Sequence, residues 1–135
     1  MNKTIYLAGP LFTAAEQEFN LKVYNYLTEN GFTVFLPQKE CEGKELKDIF
    51  ATCKHGIDKS ELVVAILDGA DADSGTCWEC GYAYAKGKKI IGMRTDFRQS
   101  GDTQGYNAML YFSANKLIET SGNYLEEILK GIKAV

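Results

Sequence analysis

The segment from Asp73 to Glu79, DSGTCWE, brings together a glycine turn, two hydroxyl side chains and two carboxylates. Thr76 and Glu79 have the spacing of a capping box, in which each side chain bonds a free amide at the start of a helix. A glutamate near a helix N-terminus also lies in the positive field of the helix dipole, which favours the ionised carboxylate that a nucleophile requires. The local pattern supports both interpretations of Glu79, a helix cap and a nucleophile.

Metal and redox sites have weaker support in this part of the chain. Residues 68–79 have the length of a calcium-binding EF loop, but alanines occupy two of its ligand positions. His55 is the only histidine and there is no second closely spaced cysteine pair, which argues against structural zinc. Cys77 and Cys80 form a C-x-x-C motif after a predicted strand, where a thioredoxin-type dithiol lies. We expect no metal and no cofactor, and keep a redox dithiol as an alternative.

Apolar runs and helical patterns alternate along the chain. The runs predict strands at residues 3–8, 32–36, 62–67, 89–93 and 116–118. Helical patterns lie at residues 13–30, 46–60, 76–86 and 124–133, with a short helix from residue 106 after a polar loop at 95–105. The run 62–67 is apolar throughout, which is typical of a central strand covered on both faces. We predict an α/β fold, a single domain over residues 1–135 with a five-stranded parallel sheet in flavodoxin-like order 2-1-3-4-5, flanked by helices.

The predicted topology fixes where chemistry can occur. Ligands of such a sheet bind beyond the carboxyl ends of the strands, at the point where the strand order reverses. Gly9 ends the first predicted strand, and residues 68–79 follow the third. We therefore expect Gly9 and Glu79 to border one site.

Composition restricts the partners. The net charge is −3, and 45% of the residues are hydrophobic. This gives no basic surface for a nucleic acid polymer, and the longest apolar run is far too short to cross a membrane. The N-terminus enters a strand pattern directly, without the features of a signal peptide. We expect a cytoplasmic protein that binds small molecules.

Three motifs occur in order over nearly the whole chain. They are YLAGPLF at residues 6–12, DSGTxxExGYAxAxGK at residues 73–88 and NAML at residues 107–110. The GTxxE element also occurs in phosphoribohydrolases of the lysine-decarboxylase-like group, but their PGG lead-in is absent here. Together the three motifs resemble the nucleoside 2-deoxyribosyltransferase family.

This resemblance implies roles for four residues. Glu79 matches the family's nucleophile, and Tyr6 matches a tyrosine whose hydroxyl bonds and orients that carboxylate. Asp73 and Asn107 match residues that bind the sugar hydroxyls, the asparagine coming from a neighbouring subunit. Each also has a purely structural explanation: Tyr6 as a strand residue, Asp73 as a loop carboxylate and Asn107 as a helix cap.

The residues that contact the base are less defined. Phe12 offers an aromatic face on which a base can stack, or alternatively forms the hydrophobic staple of the first helix. In some family members an aspartate on the helix before the third strand contacts the base, and Cys53 stands near that position here. Asp48, which we include among the substrate-binding residues, and Asp58 are nearby candidates for protonating the leaving base.

The expected function is transfer of 2-deoxyribose between nucleobases through a covalent glycosyl ester on Glu79. Its partners would be a deoxynucleoside, a free nucleobase and further copies of the chain. One alternative is hydrolysis of deoxynucleoside 5'-monophosphates by related enzymes, which carry serines where this chain has Asp73 and Asn107. A second is a non-catalytic module that senses nucleosides or nucleotides. The sequence leaves the choice between purines and pyrimidines open.

Overall fold

The computed structural model describes residues 2–99 and 101–135, so residue 1 of the predicted domain and residue 100 of the predicted loop lie outside the described residues. The strands are β1 (Thr4–Ala8), β2 (Thr33–Phe35), β3 (Leu62–Ile66), β4 (Lys89–Arg94) and β5 (Lys116–Glu119). The helices are α1 (Ala14–Glu29), α2 (Pro37–Glu40), α3 (Leu46–Lys59), α4 (Ser74–Ala85), α5 (Ala108–Ser113) and α6 (Tyr124–Ala134). All strand pairs are parallel, in the order β2-β1-β3-β4-β5. The predicted fold is confirmed.

The central strand β3 is buried at every residue and pairs with β1 and β4. Because side chains alternate along a strand, the sheet separates two cores. Ile5 and Leu7 of β1 pack toward α1 and α6, whereas Tyr6 and Ala8 pack toward α3, α4 and α5. Tyr6 therefore lies on the same side of the sheet as the helix that carries Glu79.

The starts of α1 and α2 both follow from local sequence signals. The capping box that starts α1 is present: the Thr13 hydroxyl accepts from the Glu16 amide at 3.1 Å, and the Glu16 carboxylate accepts from the Thr13 amide at 2.9 Å. The short helix α2 was not predicted. It begins at Pro37, whose fixed φ and missing N–H suit the first position of a helix.

A buried arginine joins the loops that follow β3 and β4. The guanidinium Nη1 of Arg94 donates to the carbonyls of Leu67 and Gly69, both at 2.9 Å. In the same region, the Asp68 carboxylate accepts bonds of 2.6 Å from both the amide and the hydroxyl of Thr95. These bonds fix the chain that leads from β3 toward Asp73.

Candidate active site

The hydroxyl of Tyr6 donates a hydrogen bond to Oε2 of Glu79. Tyr6 comes from β1 and Glu79 from α4, the helix that follows the neighbouring strand β3. The tyrosine is fully buried and the glutamate is half-buried. The fold thus brings together two residues that are 73 positions apart in the sequence.

The position of the Tyr6 ring depends on close packing behind it. Tyr6 stacks on Phe35, with ring centroids 5.2 Å apart and planes inclined by 17°. Phe35 also packs against Gly56 of α3, where an added Cβ would come within 2.7 Å of the phenyl ring. A glycine is therefore needed at position 56 to let α3 pack this closely against Phe35.

Burial raises the pKa of the Glu79 carboxyl to about 7; the hydrogen bond from Tyr6 lowers it and the charge of Asp73 raises it. The prediction that the dipole of α4 favours the ionised form of Glu79 is wrong. Because α4 begins at Ser74, Glu79 lies in the second turn, and the dipole acts mainly within the first. Burial and the nearby Glu79 charge also raise the pKa of Tyr6, so its hydroxyl remains a donor.

The cap of α4 is Asp73. Its Oδ2 accepts from the amide of Thr76 at 3.0 Å and from the Thr76 hydroxyl at 3.1 Å. The predicted capping box between Thr76 and Glu79 is therefore wrong, because Asp73 already satisfies the amide and hydroxyl of Thr76. Glu79 has no part in starting the helix. Among the described residues no hydrogen bond to Oδ1 of Asp73 is seen, so this oxygen can accept from a ligand.

A cleft of about 440 Å³ opens between α3 and α4 beside Glu79. Such a volume is within the range of small-molecule sites. The rings of Phe50 and Trp78 meet edge-on in its wall, with centroids 5.4 Å apart. The remaining lining is a mixture of apolar and polar side chains, namely Ile49, Cys53, Lys54 and Ser74, together with Gly75. The aromatic pair was missed, although Phe50 and Cys53 are spaced to share one face of α3 and Trp78 directly precedes Glu79.

Phe12 does not line this cleft. Its side chain is 74% exposed in the turn after β1. The alternative of a hydrophobic staple is wrong, since the partner position of α1 is the polar Gln17. Gly9 packs tightly: a Cβ there would lie 3.1 Å from Cβ of Ile66.

The two aspartates proposed to protonate the base lie elsewhere. Asp48 is exposed in the first turn of α3 and is not among the residues that line the cleft. Asp58 accepts from the Tyr82 hydroxyl at 2.5 Å and from Nζ of Lys54 at 3.1 Å. These two bonds hold the pKa of Asp58 below its usual value, so this carboxylate is a poor proton donor.

The cysteine that lines the cleft is Cys53. Its Sγ lies 3.5 Å from Sγ of Cys41. The C-x-x-C pair is less suited to redox chemistry: Cys80 is buried in the core, where burial raises its pKa to about 12, and the Cys77 thiol donates to the carbonyl of Ala72. Within the described part of the chain, no three His, Cys, Asp or Glu side chains group as metal ligands.

Asn107 lies apart from Glu79 within one chain. It caps α5, with Oδ1 accepting from the Leu110 amide at 2.9 Å. It borders a second, apolar groove of about 580 Å³ between α4 and α5. Met109 and Phe112 beside it are 83% and 77% exposed. Within one chain, the structure therefore separates Asn107 from Tyr6, Asp73 and Glu79.

Sequence comparison agrees with this geometry. The model of the nucleoside 2-deoxyribosyltransferase family matches residues 5–125. The chain belongs to the nucleoside 2-deoxyribosyltransferase family. No curated protein sequence matches it significantly.

Solved structures resemble the whole chain. A conserved protein from Enterococcus faecalis V583 has a TM-score of 0.80 at 25% identity, over 96% of this chain and 99% of its own. The 2-deoxyribosyltransferase of Bacillus psychrosaccharolyticus has a TM-score of 0.73 at 25% identity, over 90% of each chain. The CMP N-glycosidase BcmB of Clostridium botulinum shares the fold, with a TM-score of 0.66 at 23% identity, over 93% of this chain and 98% of its own. Family membership thus supports an enzyme that acts on the glycosyl bond of nucleosides.

No helix within residues 2–99 and 101–135 has the length and apolar character needed to span a bilayer.

Proposed function

We propose that this protein transfers 2-deoxyribose from one nucleobase to another through a covalent ester on Glu79. The observation that carries the proposal is the half-buried Glu79 carboxylate, held by the Tyr6 hydroxyl beside a cleft large enough for a nucleoside. A deoxyribose lacks the electron-withdrawing 2'-hydroxyl, so positive charge develops readily at C1'. A carboxylate placed next to that carbon can capture it, as in a retaining glycosidase.

The two oxygens of Glu79 take different roles. Tyr6 bonds Oε2, which leaves Oε1 to attack C1' as the bond from C1' to the base breaks. In the resulting ester, Oε2 becomes the carbonyl oxygen and still accepts the bond from Tyr6. An incoming base then attacks C1' from the face that the first base left, so that two displacements give net retention.

The pKa of Glu79 suits its role as the nucleophile in this reaction. With a pKa of about 7, the free protein holds the carboxyl partly protonated at neutral pH. Positive charge developing at C1' favours the ionised form in the transition state. The Tyr6 hydroxyl, which remains protonated, stabilises the same form by donating to it.

The cleft suggests how the base is held. Phe50 and Trp78 present aromatic rings next to Glu79, and aromatic faces accept any base without reading its edge. This placement supports broad acceptance of bases, and it shifts the stacking role from Phe12 to the pair on α3 and α4.

The sugar end is assigned to Asp73, whose Oδ1 can accept from a 5'-hydroxyl. The second candidate function is hydrolysis of a nucleoside 5'-monophosphate, favoured by the similarity to the CMP N-glycosidase. In that reaction water resolves the ester on the same glutamate. The Asp73 carboxylate weighs against this candidate, because it would repel a phosphate dianion.

We also propose that the site is completed by a second copy of the chain. Asn107 borders the apolar groove between α4 and α5, where Met109 and Phe112 are exposed. Pairing this face with a second copy would bury those side chains and carry Asn107 toward the partner's sugar site. Such a dimer has two-fold symmetry, so each chain gives one asparagine and receives one.

One assay tests the main proposal. The protein is incubated with deoxyinosine or thymidine plus free adenine, and the products are separated by chromatography. Deoxyadenosine is the expected product. Free deoxyribose without deoxyadenosine would identify a hydrolase, and binding of the nucleoside without release of its base would identify a sensing module.

A further inference from the structure

Two thiols lie in contact beside the candidate active site. Cys41 follows the last residue of α2, and Cys53 lies in the middle of α3. Their Sγ atoms are 3.5 Å apart, both side chains are half-buried, and neither cysteine is in a disulfide. A disulfide bond is ~2.05 Å long, so the two sulfurs have to approach by only about 1.5 Å to form one.

Cys53 connects this pair to the site. It lines the same cleft as Glu79 and is close enough to the Tyr6 hydroxyl to affect its pKa. A change in the position or the protonation of this sulfur therefore reaches both the cleft wall and the tyrosine that orients the nucleophile.

We propose that Cys41 and Cys53 are a reversible modification site: a low-molecular-weight disulfide such as glutathione disulfide oxidises them to an intramolecular bridge that impairs the Glu79 site. The site and its chemistry stand on the thiol geometry alone. The effect on base exchange rests on the proposed function.

The reaction is a pair of thiol–disulfide exchanges. The Cys41 thiol loses its proton and attacks one sulfur of glutathione disulfide, which expels one glutathione thiolate. Cys53 then loses its proton and attacks the Cys41 sulfur, which expels the second. The two thiolates take up the two protons, so the protein pair is oxidised by two electrons and one glutathione disulfide is reduced to two molecules of glutathione.

The order of attack follows from the surroundings of the two thiols. Burial raises the pKa of Cys53, so little of it is thiolate, and it serves as the resolving residue once the mixed disulfide has formed. Cys41 lies at the end of α2, in the turn that leads toward α3. In the reduced protein the two sulfurs already lie 3.5 Å apart, and this proximity favours closure of the bridge once the mixed disulfide has formed.

The bridge alters the site in two ways. It draws the Cys53 sulfur toward Cys41 and removes the S–H group that lies beside Tyr6. It also ties the turn after α2 to the middle of α3, the helix that carries Phe50 in the cleft wall. We expect base exchange to fall at least several-fold in the bridged protein and to return when the bridge is reduced.

The test treats the whole protein with glutathione disulfide and follows mass, peptide linkage and exchange rate. Loss of two hydrogens, a linked pair of peptides containing positions 41 and 53, and a fall in rate that dithiothreitol reverses are the expected results. Cys41→Ser should keep the basal rate and lose the response. The matched control Cys77→Ser should keep both the rate and the response.

Two results would overturn the proposal: stable glutathione adducts in place of the bridge, or a bridge that leaves the rate unchanged. Trp78, the only tryptophan, lies in the cleft and provides a readout that does not depend on catalysis. If the reduced protein exchanges no bases, the transferase proposal fails, while the bridge is still decided by mass. Its effect is then decided by whether it changes the quenching of Trp78 fluorescence by adenine.

Discussion

The two oxygens of the Glu79 carboxylate face different surroundings, and this asymmetry can be tested by substitution. Glu79→Gln keeps the size of the side chain and an oxygen for Tyr6, but it removes the nucleophile. Base exchange should fall by about a thousand-fold or more. Because Asp73 caps α4, both Glu79→Gln and Glu79→Ala should retain the fold, as measured by circular dichroism. Substantial exchange by Glu79→Gln would show that another group attacks the sugar.

The raised pKa of Glu79 predicts a pH profile. Attack requires the carboxylate, so kcat/KM should rise with pH through the pKa of the free protein, about 7, and level off above it. Tyr6→Phe removes the hydrogen bond that lowers this pKa. The variant should have a lower plateau, and its rise should move to higher pH. A profile of Tyr6→Phe that rises at the same pH as the wild type would mean that Tyr6 does not act on the ionisation of Glu79.

Asp73 has two functions that one substitution can separate. Serine is as good a helix cap as aspartate, so Asp73→Ser should change the free energy of unfolding by less than about 1 kcal/mol. The wild type should have a far higher kcat/KM for a deoxynucleoside than for its 5'-monophosphate. In Asp73→Ser the difference between these two kcat/KM values should be smaller. Equal use of the two substrates by the wild type would favour the hydrolase.

Arg94 connects the loops after β3 and β4 and fixes the chain that leads to Asp73. Arg94→Lys keeps the charge but cannot reach both carbonyls with one planar group, so buried acceptors lose their donor. We expect the free energy of unfolding to fall by about 2–4 kcal/mol and KM for the deoxynucleoside to rise, because the chain leading to Asp73 loosens.

The matched control is Arg98→Lys, the same substitution at a side chain that is largely exposed and paired with Asp96. The Arg98 side chain is 58% exposed and lysine keeps its charge beside Asp96, so this variant should change the free energy of unfolding by less than about 1 kcal/mol. Equal effects of the two substitutions in urea unfolding would remove the assigned role of Arg94.

The sheet could be predicted from the sequence because short apolar runs alternate with helical patterns along the chain. Residues 62–67 have no polar member, which is typical of a strand covered on both faces. The helix α2 could not be found in the same way. It has four residues, too few for a periodic pattern to appear, and its initial Pro37 indicated a strand end equally well.

The contact between Tyr6 and Glu79 could be predicted because one motif places Tyr6 on β1 and another places Glu79 just after the neighbouring strand β3. The start of α4 could not, since Asp73 and Thr76 are both good caps and only three-dimensional geometry selects between them. The aromatic wall was missed for another reason. Phe50 and Trp78 come from different helices, and their contact depends on how α3 packs against α4.

The face formed by α4 and α5 predicts an active site shared between two chains. Glu79→Ala and Asn107→Ala proteins should each be nearly inactive. After subunit exchange in a mixture, activity should return to about one quarter of the sites, because half of randomly paired dimers are mixed and half of their sites hold both residues. The measurement is the exchange rate of the mixture relative to the wild type.

Subunit exchange itself must be verified, for example by native mass spectrometry of chains that carry different tags. If mixed dimers form and activity does not return, Asn107 does not act in its neighbour. If Asn107→Ala alone is fully active, Asn107 does no more than cap α5.

Gly56 packs against Phe35, and Phe35 packs against Tyr6. This packing determines which positions near the site can tolerate substitution. A methyl group added at position 56 would displace the ring of Phe35, on which Tyr6 stacks, so we expect substitutions of Gly56 to be rejected although Gly56 does not line the cleft. Phe50 and Trp78, by contrast, are partly exposed in the cleft wall and contact each other edge-on. When a new nucleobase is selected for, in nature or in a directed-evolution library, we therefore expect substitutions to be accepted at positions 50 and 78 and to be lost at position 56.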